Sequence, residues 1–306
     1  MGFCFKKKEA VANAIPRLGC QRARRALDCL KDCSQPEAIH GARKEIKKAR
    51  AVLRLARENI SKEEFRAIKR SLRKAAACLA KPRDAAVRAK ALRDLARRFK
   101  HALPPGAFRK NRVALRRASD RAMTRFAEKQ NAKFARQHLR RAAKEFHKLK
   151  IEANGWGAIA PGLEGAYREC REAYERAVKI GSAEAFHEWR KRAKDLWHHL
   201  ALLEPTWPEK IDRMICELET VGAFLGEDHD LFIVQQWLED SKQAKGKSQR
   251  MKMLRQIIRE RQDELRGKAL AMGKYFYTEK PPQFCSRLGG YWRSWERSGK
   301  PGRVRK

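Results

Sequence analysis

The stretch FHEWRKRAKDLWHHLALL, from Phe186 to Leu203, is predicted to form one helix with two faces of opposite chemistry. At about 100° of rotation per residue, its large apolar side chains fall on a single stripe, the pattern of a helix that buries one side. Ser182 and Glu184 precede it as a cap and a first-turn acid, and Pro205 follows it. The opposite face carries a basic row without interleaved carboxylates: His187, Arg190, Lys191, Lys194 and His198.

A second segment with the same pattern lies earlier in the chain, from Ile39 to Leu55. When the two segments are aligned without gaps, their apolar positions coincide, and so do the first four positions of their basic rows. Two such helices in register indicate an internal duplication. The basic row of the earlier segment consists of His40, Arg43, Lys44 and Lys47.

A further pair of motifs follows the two basic segments at nearly the same offset. Arg83 and Asp84 follow the earlier segment, whereas His229 and Asp230 follow the later one. Two landmarks in the same order strengthen the case for duplication. The two aspartates are expected to cap or pair with neighbouring basic helices. The alternative is that they orient a catalytic histidine or bind magnesium.

The composition indicates a partner with many negative charges. The 306 residues include 73 Lys and Arg against 36 Asp and Glu, a formal net charge of +37, which favours a polyanion or an acidic membrane surface. The eight cysteines are scattered without the paired spacing of a zinc site, so reduced thiols are expected. Lys6 to Lys8 lead into a charged helix, and no run approaches about 20 apolar residues. We therefore expect a cytoplasmic protein without a leader peptide or membrane span. A membrane surface is not expected as a partner, because the bundle itself consumes the apolar stripes of the basic helices.

Helical periodicity runs through nearly the whole chain, and β-branched residues nowhere alternate over a useful length. The prediction is an all-α fold of two internally duplicated, pseudo-symmetric four-helix bundles. The halves are expected at residues 1–154 and 155–295, with a linker around residues 155–162. A basic, disordered tail is expected at 296–306.

Local signals predict where several helices begin and end. The capping box formed by Ser61 and Glu64 predicts a helix start. Pro82 is expected to interrupt the helical pattern. A break is also expected just after Leu225, and an exposed loop at 242–248.

The motifs of this chain resemble those of the CHAD family, whose name stands for conserved histidine α-helical domain. The resemblance covers about Gly2 to Trp295 and is most specific in the second half. It implies two four-helix bundles related by a pseudo-twofold axis, with a basic surface or pore where the histidine-bearing helices meet. It also implies binding of inorganic polyphosphate and, in bacteria, association with polyphosphate granules. The motifs are His40-x-x-Arg43, Arg83-Asp84, Ala160-Pro-Gly-Leu with Tyr167, His187-x-x-Arg190-Lys191-x-x-Lys194, Leu225-Gly-Glu-x-His229-Asp230 and Glu279-Lys-Pro followed by Tyr291-Trp292.

Carried over residue by residue, the resemblance assigns polyphosphate binding to the first four residues of each basic row: His40, Arg43, Lys44 and Lys47, and His187, Arg190, Lys191 and Lys194. Ligand chemistry supports this independently, because a linear polyphosphate offers repeated oxyanions and needs a row of Arg and Lys donors. Positions three and four residues apart rise about 5 Å along a helix, so such a row follows an extended anion. Pro82 and Arg83 stand where the second half has Asp228 and His229, so the halves need not contribute equally. The predicted binding residues are His40, Arg43, Lys44, Lys47, Arg54, His187, Arg190, Lys191, Lys194 and His198, with Arg66, Lys69, Arg73, Arg140 and Lys144 on two outer helix faces.

Other interpretations stay open. Each row can be a solvated helix face, and the outer cations can serve solubility alone. Nucleic acid would bind so basic a protein non-specifically, although the aromatic residues are expected in the core and not on stacking platforms. The chain has no phosphate-binding glycine loop, so no enzyme is expected, with an accessory role to a polyphosphate or triphosphate phosphohydrolase as the alternative. Neither a metal nor a cofactor is expected, and the oligomeric state is left open.

Overall fold

The fold is all-α, as the sequence predicts. The computed structural model describes residues 2–32, 35–98, 100, 109–128, 130–240 and 249–298, and no strand occurs in these ranges. Nor does any helix in this part of the chain have the length and apolar character needed to cross a membrane. The helices are α1 (Val11–Cys29), α2 (Pro36–Leu55), α3 (Lys62–Cys78), α4 (Ala80–Arg98), α5 (Arg109–Glu128), α6 (Asn131–Lys148), α7 (Ala160–Ile180), α8 (Ala183–Leu203), α9 (Pro208–Asp240), α10 (Gln249–Phe276) and α11 (Pro281–Arg297).

Two helix starts follow from the predicted caps. Ser61 Oγ accepts a hydrogen bond from the backbone N–H of Glu64 and donates one to its carboxylate, which starts α3. Ser182 Oγ accepts from the N–H of Ala185 and caps α8. Beyond this cap, the apolar stripe of α8 is buried as predicted: Phe186, Trp189, Ala193, Leu196 and Leu200.

Of the two predicted helix breaks, the first is displaced and the second is wrong. The first break lies at Leu79, between α3 and α4, and not at Pro82. α4 begins before Pro82, which lies in the first turn, where backbone amides have no helical partner and a missing N–H costs little. α9 continues from Pro208 to Asp240 through Gly226. A glycine costs a helix only about 1 kcal/mol, and burial of the preceding Leu225 offsets this. The predicted loop at 242–248 lies outside the described residues, as does the predicted tail from residue 299 onward, whereas Glu296 and Arg297 belong to α11.

The main apolar core is continuous between the two halves of the chain. Gly162, in the first turn of α7, approaches α2 so closely that a Cβ atom would lie 2.0 Å from the carbonyl oxygen of Leu55. The expected linker at 155–162 is therefore a packed junction. His199 Nε2 donates a hydrogen bond of 2.9 Å to the carbonyl oxygen of Ala51 and so ties α8 to α2 inside the core. A smaller core joins α4, α5, α9 and α10.

Helix packing brings the two basic helices side by side. α1, α2, α3 and α6 pack around one part of the core, and α7, α8, α9 and α10 pack around the other, with α11 against α7. α2 contacts both α7 and α8, and α4 contacts α9. Since α2 and α8 bury their apolar stripes, their basic rows face the space between α2, α4, α8 and α9.

Acid is expected to destabilise the protein through His199. Burial lowers the pKa of this imidazole from 6.5 to about 4, so below pH 6.5 the unfolded chain takes up a proton that the folded protein excludes. Between about pH 7.5 and about pH 5 this difference lowers the free energy of unfolding by about 2 kcal/mol. In urea unfolding, the wild type should lose about 2 kcal/mol more than His199→Gln, which lacks the titrating group. Parallel losses in the two proteins would contradict this expectation.

Candidate anion-binding cleft

A pocket between the two halves collects charged side chains from four helices, and we call it the cleft. α2 and α4 contribute residues from the first half, and α8 and α9 from the second. Most of its lining side chains are basic, two are aspartates and two are apolar. They are His40, Arg43, Lys44, Lys47, Arg83, Asp84, Val87, Arg190, His229, Asp230 and Ile233.

Positive charge is most crowded around Lys47. Burial among the surrounding helices, followed by the cations Lys194 and Arg190, lowers the pKa of its amine from 10.5 to about 8. The residue nevertheless stays in contact with solvent, as expected for one that lines an open cleft. Burial also lowers the pKa values of Lys194 and Arg190. Because like charges this close repel each other, an anion bound among them would be strongly stabilised.

The main cations of this region form no direct ion pair with a carboxylate in the part of the chain that the structure describes. Arg43 donates a hydrogen bond of 3.2 Å to the backbone oxygen of Ala76. The buried Nε of Arg190 has no hydrogen-bond partner. A buried donor left unbonded costs about 1–3 kcal/mol. Within the described residues, no ion pair involves Arg43, Lys47, Arg83, Arg190 or Lys194.

The two aspartates of the cleft each attract the arginine of their own half. Burial lowers the pKa of Arg43, and electrostatic attraction by Asp84 opposes this effect. Attraction by Asp230 opposes the lowering of the Arg190 pKa in the same way. Neither pair forms a direct ion pair in the described structure. Burial raises the pKa of Asp230 against the opposing pull of Arg190. Two carboxylates among so many basic groups leave the cleft positively charged.

Two histidines from α8 and α9 stack at the edge of the cleft. The ring centroids of His187 and His229 lie 3.9 Å apart, with 25° between the ring planes. Burial, followed by His187 and Arg190, lowers the pKa of His229 to about 4. Burial, followed by Lys191, also lowers the pKa of His187, whose buried Nδ1 has no hydrogen-bond partner. Both rings are therefore neutral at pH 7 and available for protonation beside a bound anion.

Two glycines of α9 leave room for the cations of α8. A Cβ atom on Gly226 would lie 3.5 Å from the guanidinium of Arg190, and one on Gly222 would lie 3.8 Å from Cε of Lys194. Side chains larger than alanine would fill this space. A neighbouring pocket of about 590 Å³ is lined by both glycines and shares Arg190 and Asp230 with the cleft. The cationic surface thus continues past Arg190.

Most residues of the two predicted basic rows meet at the cleft. His40, Arg43, Lys44, Lys47 and Arg190 line it directly. His187 borders it through its stack on His229, and Lys194 through its electrostatic effect on Lys47. Lys191 is exposed and forms an ion pair with Glu188.

The other predicted binding residues lie elsewhere. His198, expected on the polar face, is only 6% exposed because the ring of Phe3 and the core cover that end of α8, so the predicted placement is wrong. Arg54 lines a separate pocket and is neutralised by an ion pair with Asp195. The outer cations belong to α3 and α6, and none lines the cleft: Arg66, Lys69, Arg73, Arg140 and Lys144.

Four polar residues of the cleft were missing from the predicted binding set. They form the second repeated motif, of which only the two aspartates were given a role, as helix caps or ion-pair partners. Their constant offset from the basic rows was the available signal, since duplicated halves place equivalent motifs in equivalent positions. The four are Arg83, Asp84, His229 and Asp230.

Replacing Lys47 with methionine is expected to stabilise the protein and weaken anion binding. The lowered pKa means that the folded protein holds this charge at a cost, which solvent screening reduces to about 1 kcal/mol at pH 7. Lys47→Met removes that cost but also a ligand donor, so affinity for polyphosphate should fall about tenfold. Chemical unfolding and equilibrium binding measure the two effects. Lys179→Met, at an exposed position of α7, is the matched control and should change neither.

The fold and the cleft define an all-α protein with a positively charged cleft between two helical halves. Residues 19–239 match a family model described as CHAD domain, and the chain belongs to the CHAD family. Among solved structures it is similar to the crystal structure of the CHAD domain from the plant Ricinus communis, with 13% identity and a TM-score of 0.52. That match covers 100% of this chain and 98% of the other, and it shows the fold alone. None of the curated proteins matches the chain.

Proposed function

We propose that this protein binds inorganic polyphosphate in the cleft and leaves the polymer intact. The family is associated with polyphosphate and triphosphate binding. The observation that carries the proposal is the set of cations that converge from both halves without carboxylate partners in the described structure. Regularly spaced oxyanions satisfy many such donors at once, and arginine forks and lysine amines are the groups that bind them.

Polyphosphate suits the cleft better than nucleic acid does. Single strands bind largely by stacking their bases on exposed aromatic rings. Phe186 and Trp189 of α8 lie in the core instead, 3% and 0% exposed. Polyphosphate has no bases and requires phosphate contacts alone. Non-specific nucleic-acid binding is therefore expected only as a weaker, salt-sensitive reaction.

The lining of the cleft favours binding over catalysis. Among the described residues that line it there is no Ser, Thr or Cys to act as a nucleophile. Asp84 and Asp230 each lie near an arginine and are suited to orient its guanidinium group. Binding of this kind would place the protein on polyphosphate granules, and it also suits an accessory role beside a separate phosphohydrolase.

We also infer that the two halves are pseudo-symmetric four-helix bundles. α2 and α8 carry the equivalent basic rows. α3 and α4, which are separated from each other at Leu79, then correspond together to the single continuous helix α9. In support of this, Arg83 of α4 and His229 of α9 occupy equivalent positions in the repeat and both reach the cleft.

Competition at physiological salt tests the proposed function. Labelled long-chain polyphosphate bound to the protein is displaced with unlabelled polyphosphate, duplex DNA, RNA or tripolyphosphate. We expect polyphosphate to compete at least about 100-fold better per phosphate than nucleic acid. If DNA or RNA competed equally well per phosphate, polyphosphate would not be the preferred ligand. Shortening of the polymer during prolonged incubation with magnesium would contradict binding without catalysis.

A further inference from the structure

A second basic pocket, of about 450 Å³, lies outside the cleft where α3 ends, α4 begins and α5 passes over them. We call it the α5 groove. Lys81 of α4 and Arg121 and Arg125 of α5 line it, and no aspartate or glutamate is among its described lining residues. Arg121 and Arg125 are one helical turn apart and project to the same side. The groove therefore presents three cations from two helices to one concave space.

These three cations are free to bind an external anion. All three are exposed, and none takes part in an ion pair within the described chain. Asn131, the first residue of α6, also lines the groove, and the preceding Gln130 makes no side-chain cap. The positive end of the α6 dipole adds to the field of the three cations. Concave, unneutralised positive charge is suited to a phosphate group, which arginine binds with two parallel hydrogen bonds.

The groove and the cleft are separated only by the first turn of α4. Lys81 and Pro82 line the groove, whereas Arg83 and Asp84 line the cleft. Residues two apart in a helix differ by about 3 Å along its axis but project to nearly opposite sides, so the two basic surfaces lie on different sides of this turn. A flexible polyanion that leaves the cleft beside Arg83 therefore passes around this turn of α4 to reach the groove.

We propose that the α5 groove is a second phosphate-binding site, which a polyphosphate chain occupies when it is long enough to extend beyond the cleft. The choice of ligand rests on the proposed function of the cleft. Nucleic acid is the less favoured occupant, because the aromatic residue of the groove, Phe126, is only 2% exposed and offers no face for a base. Occupation of both sites makes affinity increase with chain length, since the second contact becomes intramolecular.

The test compares a groove variant with a variant of equal charge loss. The groove variant combines Lys81→Ala, Arg121→Ala and Arg125→Ala. The control combines Arg176→Ala, Lys179→Ala and Lys274→Ala, three exposed cations of α7 and α10 that line neither site. For long-chain polyphosphate at physiological salt, we expect the groove variant to bind about 10- to 30-fold more weakly and the control less than about twofold more weakly.

Calorimetry with tripolyphosphate at low salt separates this proposal from the proposed function. The wild type should bind at two sites, the groove variant at the cleft alone, and a cleft variant, Arg190→Ala with Lys194→Ala, at the groove with full affinity. If the groove variant keeps the stoichiometry for tripolyphosphate and the affinity for long-chain polyphosphate of the wild type, the groove proposal is overturned. Binding in the cleft is tested separately by the cleft variant. The groove proposal would also be overturned if duplex DNA displaced tripolyphosphate from the groove as effectively, per phosphate, as polyphosphate does.

Discussion

Combined replacement of Arg190 and Lys194 with alanine is expected to weaken polyphosphate binding about 100-fold or more at physiological salt. Each side chain supplies a charged donor, and a hydrogen bond to a charged group contributes about 1.5–3 kcal/mol. Arg190 carries a buried Nε without a partner and stands between the cleft and the neighbouring pocket. A Cβ atom on Gly226 of α9 would lie 3.5 Å from this guanidinium, so the glycine leaves space beside it. The loss should therefore exceed that caused by removing an average surface charge.

The matched control for this variant is Arg176→Ala with Lys179→Ala. Both residues are exposed on α7, outside the cleft, and their removal changes the net charge equally. Equilibrium binding of labelled long-chain polyphosphate measures the effect, and thermal unfolding checks the fold, which loss of mutually repelling cations should not weaken. Equal losses in the two variants would mean that diffuse charge, and not a defined cleft, binds the polymer.

The apolar stripes of α2 and α8 allowed both basic helices to be predicted from the sequence. A stripe at helical spacing buries one side of a helix, so the opposite row must face outward or into a cleft. In α8 the residues of the stripe are buried, and in α2 Ile39 and Ile46 are buried as well. The internal duplication further predicted that the two basic rows occupy equivalent positions in the two halves of the chain. Local pattern and duplication together therefore placed the α2 row and Arg190 at the site, whereas the binding set left out Arg83, Asp84, His229 and Asp230.

Tertiary contacts account for the residues that the pattern misplaced. His198 falls on the polar side of α8 by its helical angle, yet the N-terminal Phe3 packs on it and buries it. Arg54 continues the row of α2, yet Asp195 of α8 meets it there and neutralises its charge. Such partners come from distant parts of the chain and leave no local periodic signal. The same holds for Gly226, whose role depends on the neighbouring α8.

Polyphosphate binding is expected to strengthen roughly 10- to 100-fold as the pH falls from about 7.5 to about 5.5. The stacked His187 and His229 are neutral at pH 7 in the free protein, and the pKa of His229 is about 4. Burial, followed by Arg83, also lowers the pKa of His40. A bound polyanion raises all three pKa values by attraction, so the complex takes up protons that the free protein does not. Affinity must then rise as the pH falls.

The double variant His187→Gln with His229→Gln separates this effect from other titrations. It removes the stacked pair but keeps the surrounding cations, so its affinity should change with pH several-fold less than that of the wild type. Binding is measured above about pH 5, where protonation linked to the buried His199 leaves the protein largely folded. Internal phosphates of a long chain stay ionised over this range, so the ligand does not account for the change. Identical pH profiles in the two proteins would show that the protons are taken up elsewhere. The charged groups that act on the two rings are Lys47 of α2 and Glu188, Arg190 and Lys191 of α8.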